Sequence, residues 1–223
     1  MYQKYYAIIS KNTLRGYIMN NIDEEIRIIP TDVKYLKSYN DTLNEVSLEG
    51  KYLSTNKGFA LSSTEAFMKD CMANGFPAFI AVNEKDEAIG WCDIVPRSEY
   101  KDKLTGSIGV GLRKAYRGAG IGKLLISRTI QAAVAYGFER VVLEVRESNE
   151  HARYVYEQLG FEYDGDVMRD IDGESTAVKK MYLDLVEEDE TGENVKPRKL
   201  PYILLVCGGC IIGTLIAILC IIH

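Results

Sequence analysis

A glycine-rich loop between a predicted strand and a predicted helix constrains this chain more than any other feature. The loop, Arg117-Gly118-Ala119-Gly120-Ile121-Gly122, follows the predicted strand 107–112 and opens the predicted helix 120–136. Glycines let a ligand approach the backbone closely, and unpaired amides at a helix N-terminus bind phosphate with help from the helix dipole. The loop therefore predicts a cradle for a diphosphate. Positive charge around it would come from Arg113, Lys114, Arg117 and Lys123.

The loop alone leaves other interpretations open. A dinucleotide-binding fingerprint needs its strand at the start of a βαβ unit and an acidic residue about 20 residues further on. Glu139 is near that distance, but it precedes the next predicted strand instead of ending it. A P-loop is excluded, because no Gly-Lys-Ser/Thr follows at the required spacing. A tight turn without a ligand also fits the pattern.

Apolar runs and turn signals around the loop predict an α/β fold, with a mixed central sheet flanked by about four helices. The predicted strands are 26–29, 78–82, 88–95, 107–112 and 141–145, followed by a hairpin of 163–168 and 177–185. The predicted helices run from 31 or 32 to 43, from just after residues 62–64 to about 74, and over 120–136 and 149–159. The strand 141–145 is apolar on both faces except at Glu144, which indicates a central position.

The end of the chain carries a segment typical of a membrane anchor. No residue from Tyr202 to Ile222 is charged, and a helix of that length spans roughly 30 Å, the thickness of a bilayer core. The basic residues Lys196, Arg198 and Lys199 precede it and favour the cytosolic side. We therefore expect one transmembrane helix over 201–222 that contacts the lipid bilayer, with the preceding domain in the cytosol. A buried core helix is the alternative.

The chain accordingly divides into an N-terminal extension (1–22), a folded domain (23–186), a polar linker (187–200) and the anchor (201–222). The formal net charge of -5 argues against a nucleic-acid partner, which would favour a basic surface. The five cysteines form no zinc-type array and indicate a reduced compartment. With only two histidines, we expect neither a histidine metal site nor a serine–histidine triad.

A second motif lies downstream of the loop. It reads Leu143-Glu144-Val145-Arg146-Glu147-Ser148-Asn149 and continues with Ala152, Tyr156 and Gly160-Phe161. Together with Arg117-x-x-Gly120-x-Gly122, in this order and spacing, it makes the chain similar to the GCN5-related N-acetyltransferase (GNAT) superfamily over roughly residues 24–185. The resemblance implies an enzyme that moves an acetyl group from acetyl-CoA to a primary amine by direct attack, with no metal.

The resemblance also implies how acetyl-CoA is bound. The backbone of a strand would hydrogen-bond the pantetheine arm at Val110, Gly111 and Leu112. Glycines inside a strand mark bulges or close approach of another backbone, which Gly109 and Gly111 fit. The diphosphate would be held by Arg117, Gly118, Ala119, Gly120, Ile121, Gly122 and Lys123. Asn149 would contact the arm where the two strands part, and a plain helix N-cap is its other interpretation.

Tyr156 matches the general acid of the family, which protonates the departing thiolate. Its helical face is shared by Ala152, Val155 and Leu159, so the tyrosine is expected to point inward. A core aromatic without a catalytic role is the alternative interpretation.

Glu144 matches the general base that some members of the family use. Burial of a carboxylate in an apolar strand raises its pKa, and a raised pKa suits a general base. A salt bridge to a neighbour such as Arg146 is the alternative. Asp93 and Glu49 are weaker candidates for a base or an acceptor contact.

The acceptor and the partners are less constrained. A protein N-terminus, a lysine and a polyamine-like molecule all fit, and the L-E-V-R-x-S-N run favours peptide amines. Gly209-x-x-x-Gly213 has the spacing that pairs transmembrane helices, which leaves a homodimer open, although chance also explains it. A non-catalytic acyl-CoA sensor or scaffold at a membrane is the alternative function.

Overall fold

The computed structural model describes residues 7–9, 24–96, 104–188 and 195–197. Eight strands of this part form one sheet: Ala7–Ile9 (β1), Ile26–Pro30 (β2), Ala78–Val82 (β3), Ala88–Pro96 (β4), Thr105–Leu112 (β5), Arg140–Arg146 (β6), Glu162–Ile171 (β7) and Glu174–Asp184 (β8). Their order is β1-β2-β3-β4-β5-β6-β8-β7. A separate antiparallel pair joins Val186–Glu188 (β9) to Val195–Pro197 (β10), in the region assigned to the linker from the sequence.

Four α-helices accompany the sheet in the described part of the chain. They are Leu36–Leu48 (α1), Leu61–Asn74 (α2), Ile121–Tyr136 (α3) and Glu150–Gln158 (α4). Short 3-10 turns precede α1 at Val33–Tyr35 and α3 at Lys114–Tyr116. The predicted α/β fold with a mixed sheet and about four helices is confirmed.

The helices cover both faces of the sheet, and each face has its own hydrophobic cluster. The larger cluster contains Leu125 and Ile130 of α3 and Tyr156 of α4, packed against Ile94 and Leu143 of the sheet. The smaller cluster joins α1 and α2 to β3 and β4. Its members include Tyr39, Val46, Met68, Ile80 and Trp91. The sheet therefore has an α3 face and an α1 face.

The sheet is antiparallel except at its centre. β5 and β6 run parallel, because the chain crosses from one to the other through α3. Every other neighbouring pair of the eight strands is antiparallel. The parallel pair is the one next to the glycine-rich loop, so it positions the candidate site.

The structure corrects several predicted boundaries. The first helix begins at Leu36, after the 3-10 turn that Asp32 caps, and extends to Leu48 instead of residue 43. The final hairpin is longer than predicted, because β7 and β8 meet at a tight turn of Asp172 and Gly173, both with positive φ. An Asp-Gly pair is a strong signal for such a turn.

No helix among the described residues is long and apolar enough to cross a membrane. The predicted anchor 201–222 lies outside the described residues, as does most of the extension 1–22.

Candidate active site

The two parallel strands diverge and open a gap between them. They pair only over 105–107 and 140–142, although β5 continues to Leu112 and β6 continues to Arg146. Within the described residues, the facing backbone edges beyond these pairs have no strand partner in the sheet. Such edges accept an extended ligand as an added strand. The edge of β5 at this gap contains Val110, Gly111 and Leu112.

The predicted diphosphate loop leads directly into the N-terminus of α3. Gly118 and Gly120 each have a φ of +79°, which favours glycine. The capping bond from Leu124 N to Gly120 O is 3.1 Å long, and the amides before it belong to the helix end, which lacks intrahelical acceptors. The structure thus gathers the six predicted amide donors at one helix end: Gly118, Ala119, Gly120, Ile121, Gly122 and Lys123.

Gly122 indicates that this helix end fits a bulky ligand group. Its φ lies outside the left-handed region, and a Cβ added there would meet no atom within 4 Å. Neither backbone strain nor packing among the described residues therefore requires glycine. Glycine inside a helix is less favourable than alanine by about 1 kcal/mol. The open space at this helix N-terminus is compatible with the predicted diphosphate contact, which stays a prediction.

Two of the four predicted cations are engaged elsewhere. The Nε of Arg113 donates to Thr42 Oγ1 of α1 at 2.7 Å. The guanidinium of Arg117 donates to both carboxylate oxygens of Glu49, at 2.9 and 2.5 Å. The contact of the Arg117 side chain with a diphosphate stays a prediction. The other two predicted cations are Lys114 and Lys123.

The glycines of β5 have a packing role that the sequence does not reveal. Gly109 and Gly111 lie opposite Asp93 and Trp91 of β4. A Cβ on Gly111 would lie 2.0 Å from Cη2 of Trp91, and a Cβ on Gly109 would lie 3.2 Å from Oδ1 of Asp93. The α1 face above these glycines is therefore filled by β4 side chains. A ligand would reach β5 along its edge, not across this face.

Tyr156 points inward, as predicted. It is 8 % exposed, and its ring lies edge-on to that of Phe161 with centroids 5.5 Å apart. Burial, with a smaller effect from the nearby Cys92 thiol, raises the pKa of Tyr156. The phenol therefore keeps its proton and can donate it. Since Cys92 pairs with Val110 of β5, Tyr156 lies beneath the strand that borders the gap.

Asn149 caps α4. Its side chain accepts a hydrogen bond from Ala152 N at 3.3 Å, so the helix-cap interpretation is confirmed. The residue follows β6 at the wide end of the gap, and its predicted contact with the pantetheine arm stays a prediction.

The expectation that Glu144 is a buried carboxylate is wrong. Its side chain is 35 % exposed and forms a two-point ion pair with Arg169 of β7, with Nε 2.9 Å from Oε2. The residue lies on the α1 face, where α1 and α2 cover β3 and β4 but leave β6 open. The ion-pair alternative holds, with Arg169 in place of Arg146. Whether Glu144 acts as a base stays a prediction.

The two weaker carboxylate candidates differ in their surroundings. Asp93 is 8 % exposed and lies on the α1 face beside Gly109. Glu49 is bound to Arg117, which lowers the pKa of this carboxyl while partial burial opposes the shift. Glu49 is therefore a permanently charged partner of Arg117 near neutral pH.

Arg146 and Asp172 hold the chain segment that follows α1, and the sequence did not predict these contacts. Arg146 is 8 % exposed and donates to oxygens of residues 50–56. Asp172 accepts from the same segment, at Asn56 N. Arg146 belongs to the downstream motif and Asp172 to an Asp-Gly pair. These local signals do not reveal partners that lie ninety or more residues away along the chain.

Comparisons with known proteins agree with this geometry. The profile of the Acetyltransferase (GNAT) family matches residues 48–161, which is just over half of the chain. A solved phosphinothricin acetyltransferase from Sinorhizobium meliloti, in complex with AcCoA, has a TM-score of 0.68 at 20% sequence identity. The match covers 78% of this chain and 94% of that one, and it shows that the folds are alike.

Two relatives in sequence have stated activities. The spermine/spermidine N(1)-acetyltransferase of Bacillus subtilis is 24% identical over 143 residues, which are 62% of this chain and 93% of that protein. The ribosomal protein bS18 alanine N-acetyltransferase of Haemophilus influenzae is 42% identical over 52 residues, 23% of this chain and 35% of that protein. With the diverging strands, the glycine-rich helix end and the inward tyrosine, these matches show that the chain is an acetyl-CoA-dependent acetyltransferase and belongs to the Acetyltransferase (GNAT) family.

Proposed function

We propose that the protein acetylates a primary amine in the cytosol while residues 201–222 hold it at a membrane. The observation that most supports this proposal is the gap between β5 and β6. It has an open helix N-terminus at one end and the buried phenol of Tyr156 beneath it. The uncharged C-terminal run and its basic flank support the tether.

The chain contributes orientation and proton transfer to the reaction. Acetyl-CoA supplies an acetyl group activated as a thioester. The amides of 118–123 hold its diphosphate end, and the free edge of β5 orients the arm, so that a strand amide steadies the oxyanion that develops on the carbonyl. Tyr156 donates its proton to the departing thiolate, which its raised pKa permits throughout the neutral range.

The attacking amine must lose a proton, and two carboxylates of the α1 face are candidates to receive it. Glu144 is held by Arg169, whose positive charge opposes protonation of the carboxylate. Asp93 is buried beside Gly109 on β4, the antiparallel neighbour of β5. Asp93 is therefore the better-placed base, acting through water, and Glu144 is the second candidate.

Two acceptor classes fit the relatives. A polyamine is supported by the spermine/spermidine enzyme, which matches over nearly its whole length. A peptide amine is supported by the alanine acetyltransferase, whose short match has the higher identity. The longer match covers 93% of the relative's own length, so we infer that polyamines are the first acceptors to test.

The test measures thiol release from acetyl-CoA with spermine, spermidine, an alanine-initiated peptide and a lysine peptide. We expect turnover with at least one of them. Tyr156→Phe should lower kcat by about a hundredfold and leave the Kd of acetyl-CoA nearly unchanged. Tyr154→Phe is the matched control, because Tyr154 is on the same helix and 60 % exposed.

The base is tested in the same assay. Asp93→Asn should lower kcat by about a hundredfold, and Glu144→Gln by less than about tenfold. The reverse order would assign the base to Glu144. Full turnover by Tyr156→Phe would refute the proposed acid, and binding of acetyl-CoA without turnover on any amine would favour a sensor.

A further inference from the structure

Residues 49–58, which make up most of the segment between α1 and α2, form a strap across the open end of the cofactor gap. Its first residue, Glu49, is bound by Arg117, which also donates from Nε to Leu112 O at 2.9 Å. Leu112 is the last residue of β5. The guanidinium of Arg117 additionally lies over the ring of Tyr52, 4.8 Å from its centroid. The strap is thus fixed to the β5 side of the gap.

The strap is also fixed to the β6 side. Arg146, the last residue of β6, donates to Gly50 O at 2.8 Å, to Leu53 O at 2.7 Å and to Asn56 Oδ1 at 2.9 Å. No carboxylate within the described ranges forms an ion pair with this buried guanidinium. Buried charges need hydrogen-bonding partners, so the strap oxygens and the Arg146 side chain determine each other's positions.

A third attachment joins the strap to the turn between β7 and β8. The carboxylate of Asp172 accepts from Asn56 N at 2.5 Å and from Thr55 Oγ1 at 3.2 Å, and it lies 3.3 Å from Lys57 Nζ. The strap therefore reaches from the cofactor loop to the hairpin on the open part of the α1 face. This is the face on which both candidate bases lie.

The bond between Glu49 and Arg117 links two functional parts of the protein. Arg117 directly precedes the amides of 118–123, and its side chain leads away from them to the strap. A ligand that fixes those amides also fixes Arg117, and through Arg117 it fixes Glu49, the first residue of the strap. The Glu49 side chain is 22% exposed and that of Arg117 is 29% exposed, so the pair is partly shielded from solvent.

We propose that Glu49 and Arg117 are positioning residues that couple acetyl-CoA binding to the placement of the strap. The proposal rests on the proposed function for the location of the diphosphate and the acceptor. It differs from the expectation based on the motif, in which the side chain of Arg117 is a phosphate ligand. Coupling between two sites is reciprocal, so an ordered strap also favours acetyl-CoA binding.

Hydrogen exchange of the full-length protein, with and without acetyl-CoA, tests the coupling without any acceptor. In the wild type, acetyl-CoA should slow exchange both at 118–123 and in the strap. In Glu49→Gln it should still protect 118–123 and should no longer protect the strap. Glu45→Gln is the matched control, because Glu45 lies one helical turn earlier and pairs with Arg113, at 3.6 Å, instead of bonding Arg117. This variant should behave as the wild type.

Kinetics supply the second readout. Glu49→Gln should raise the KM of the acceptor about tenfold and change the Kd of acetyl-CoA by less than about threefold. Strap protection that persists in Glu49→Gln would overturn the coupling, as would a wild-type strap that acetyl-CoA leaves unprotected while it protects 118–123. Coupled protection without acetylation of any amine would support the coupling and refute the proposed function. Absence of protection at 118–123 would overturn both.

Discussion

At position 122 the chain carries glycine where the described structure would accept a larger side chain. The residue lies in α3 with a φ outside the left-handed region, and the space around it is open. An alanine there should stabilise the helix slightly, by no more than about 1 kcal/mol, while its methyl group occupies the space in which the diphosphate would lie. We expect Gly122→Ala to keep or raise the Tm and to weaken acetyl-CoA binding about tenfold.

Calorimetry with acetyl-CoA and thermal unfolding of the same preparation measure both effects. An unchanged Kd would mean that the diphosphate does not approach this turn. A large fall in Tm would instead show that the glycine is needed for the fold.

Individual residues were predictable from the sequence to different degrees. The helical spacing of Leu159 and Ala152 placed Tyr156 on the inner face, because a helix repeats every 3.6 residues. The exposure of Glu144 was not predictable, because it depends on which strands α1 and α2 cover. The partner of Arg117 was not predictable either, because Glu49 lies 68 residues earlier in the chain.

At the scale of elements, the β3–β4 turn anchors its neighbours through Asp86. This carboxylate lies 2.8 Å from Lys34 Nζ and 2.6 Å from Arg27 Nη2, and it accepts from Tyr35 Oη. The hydrogen bonds from Lys34, Arg27 and Tyr35 hold the pKa of Asp86 well below its usual range. The turn thereby connects β2 and the 3-10 turn before α1 to the middle of the sheet.

This connection should depend on pH. A carboxylate whose pKa is lowered by folding contributes stability above its unfolded pKa, about 3.9, and loses it as the pH falls through the folded value. Asp86→Asn should therefore lower the Tm at pH 7, and its difference from the wild type should shrink below pH 4. Asparagine tolerates the positive φ of this position.

Circular dichroism melts between pH 7 and pH 3 provide the measurement, with Glu87→Gln as a control at the next, exposed acidic residue. A difference in Tm that is constant over this range would show that the ionised carboxylate is not what matters.

The elements near the site were the most predictable. Gly75 and Gly137 end α2 and α3 in left-handed conformations, and glycine at such a position is a signal that can be read locally. The strap was not predictable, because it has no regular secondary structure. Its backbone is held by Arg146, Asp172 and the α1 side chain of Ser47, and these contacts exist only in the folded chain.

At the scale of the whole molecule, the folded domain and the predicted anchor should be separable. The domain's described hydrophobic clusters lie within residues 26–185, so they do not depend on the C-terminal run. A chain that ends at residue 200 should move from the membrane fraction to the soluble fraction and keep the kcat and acetyl-CoA affinity of the full chain.

Fractionation of cells that produce either form, followed by assays on the purified proteins, checks this expectation. A truncated chain that still sediments with membranes would place the tether elsewhere. Loss of acetyl-CoA binding on truncation would mean that the C-terminal residues contribute to the domain.

The parallel pair at the centre of the sheet has a mechanical consequence. Five strands on one side and three on the other are joined along a seam of only three residue pairs. A thioester arm lying in that seam would supply the backbone hydrogen bonds that the diverging strands do not make to each other. We therefore expect the loaded enzyme to resist shear between its two halves better than the empty enzyme does, as an unbroken sheet would.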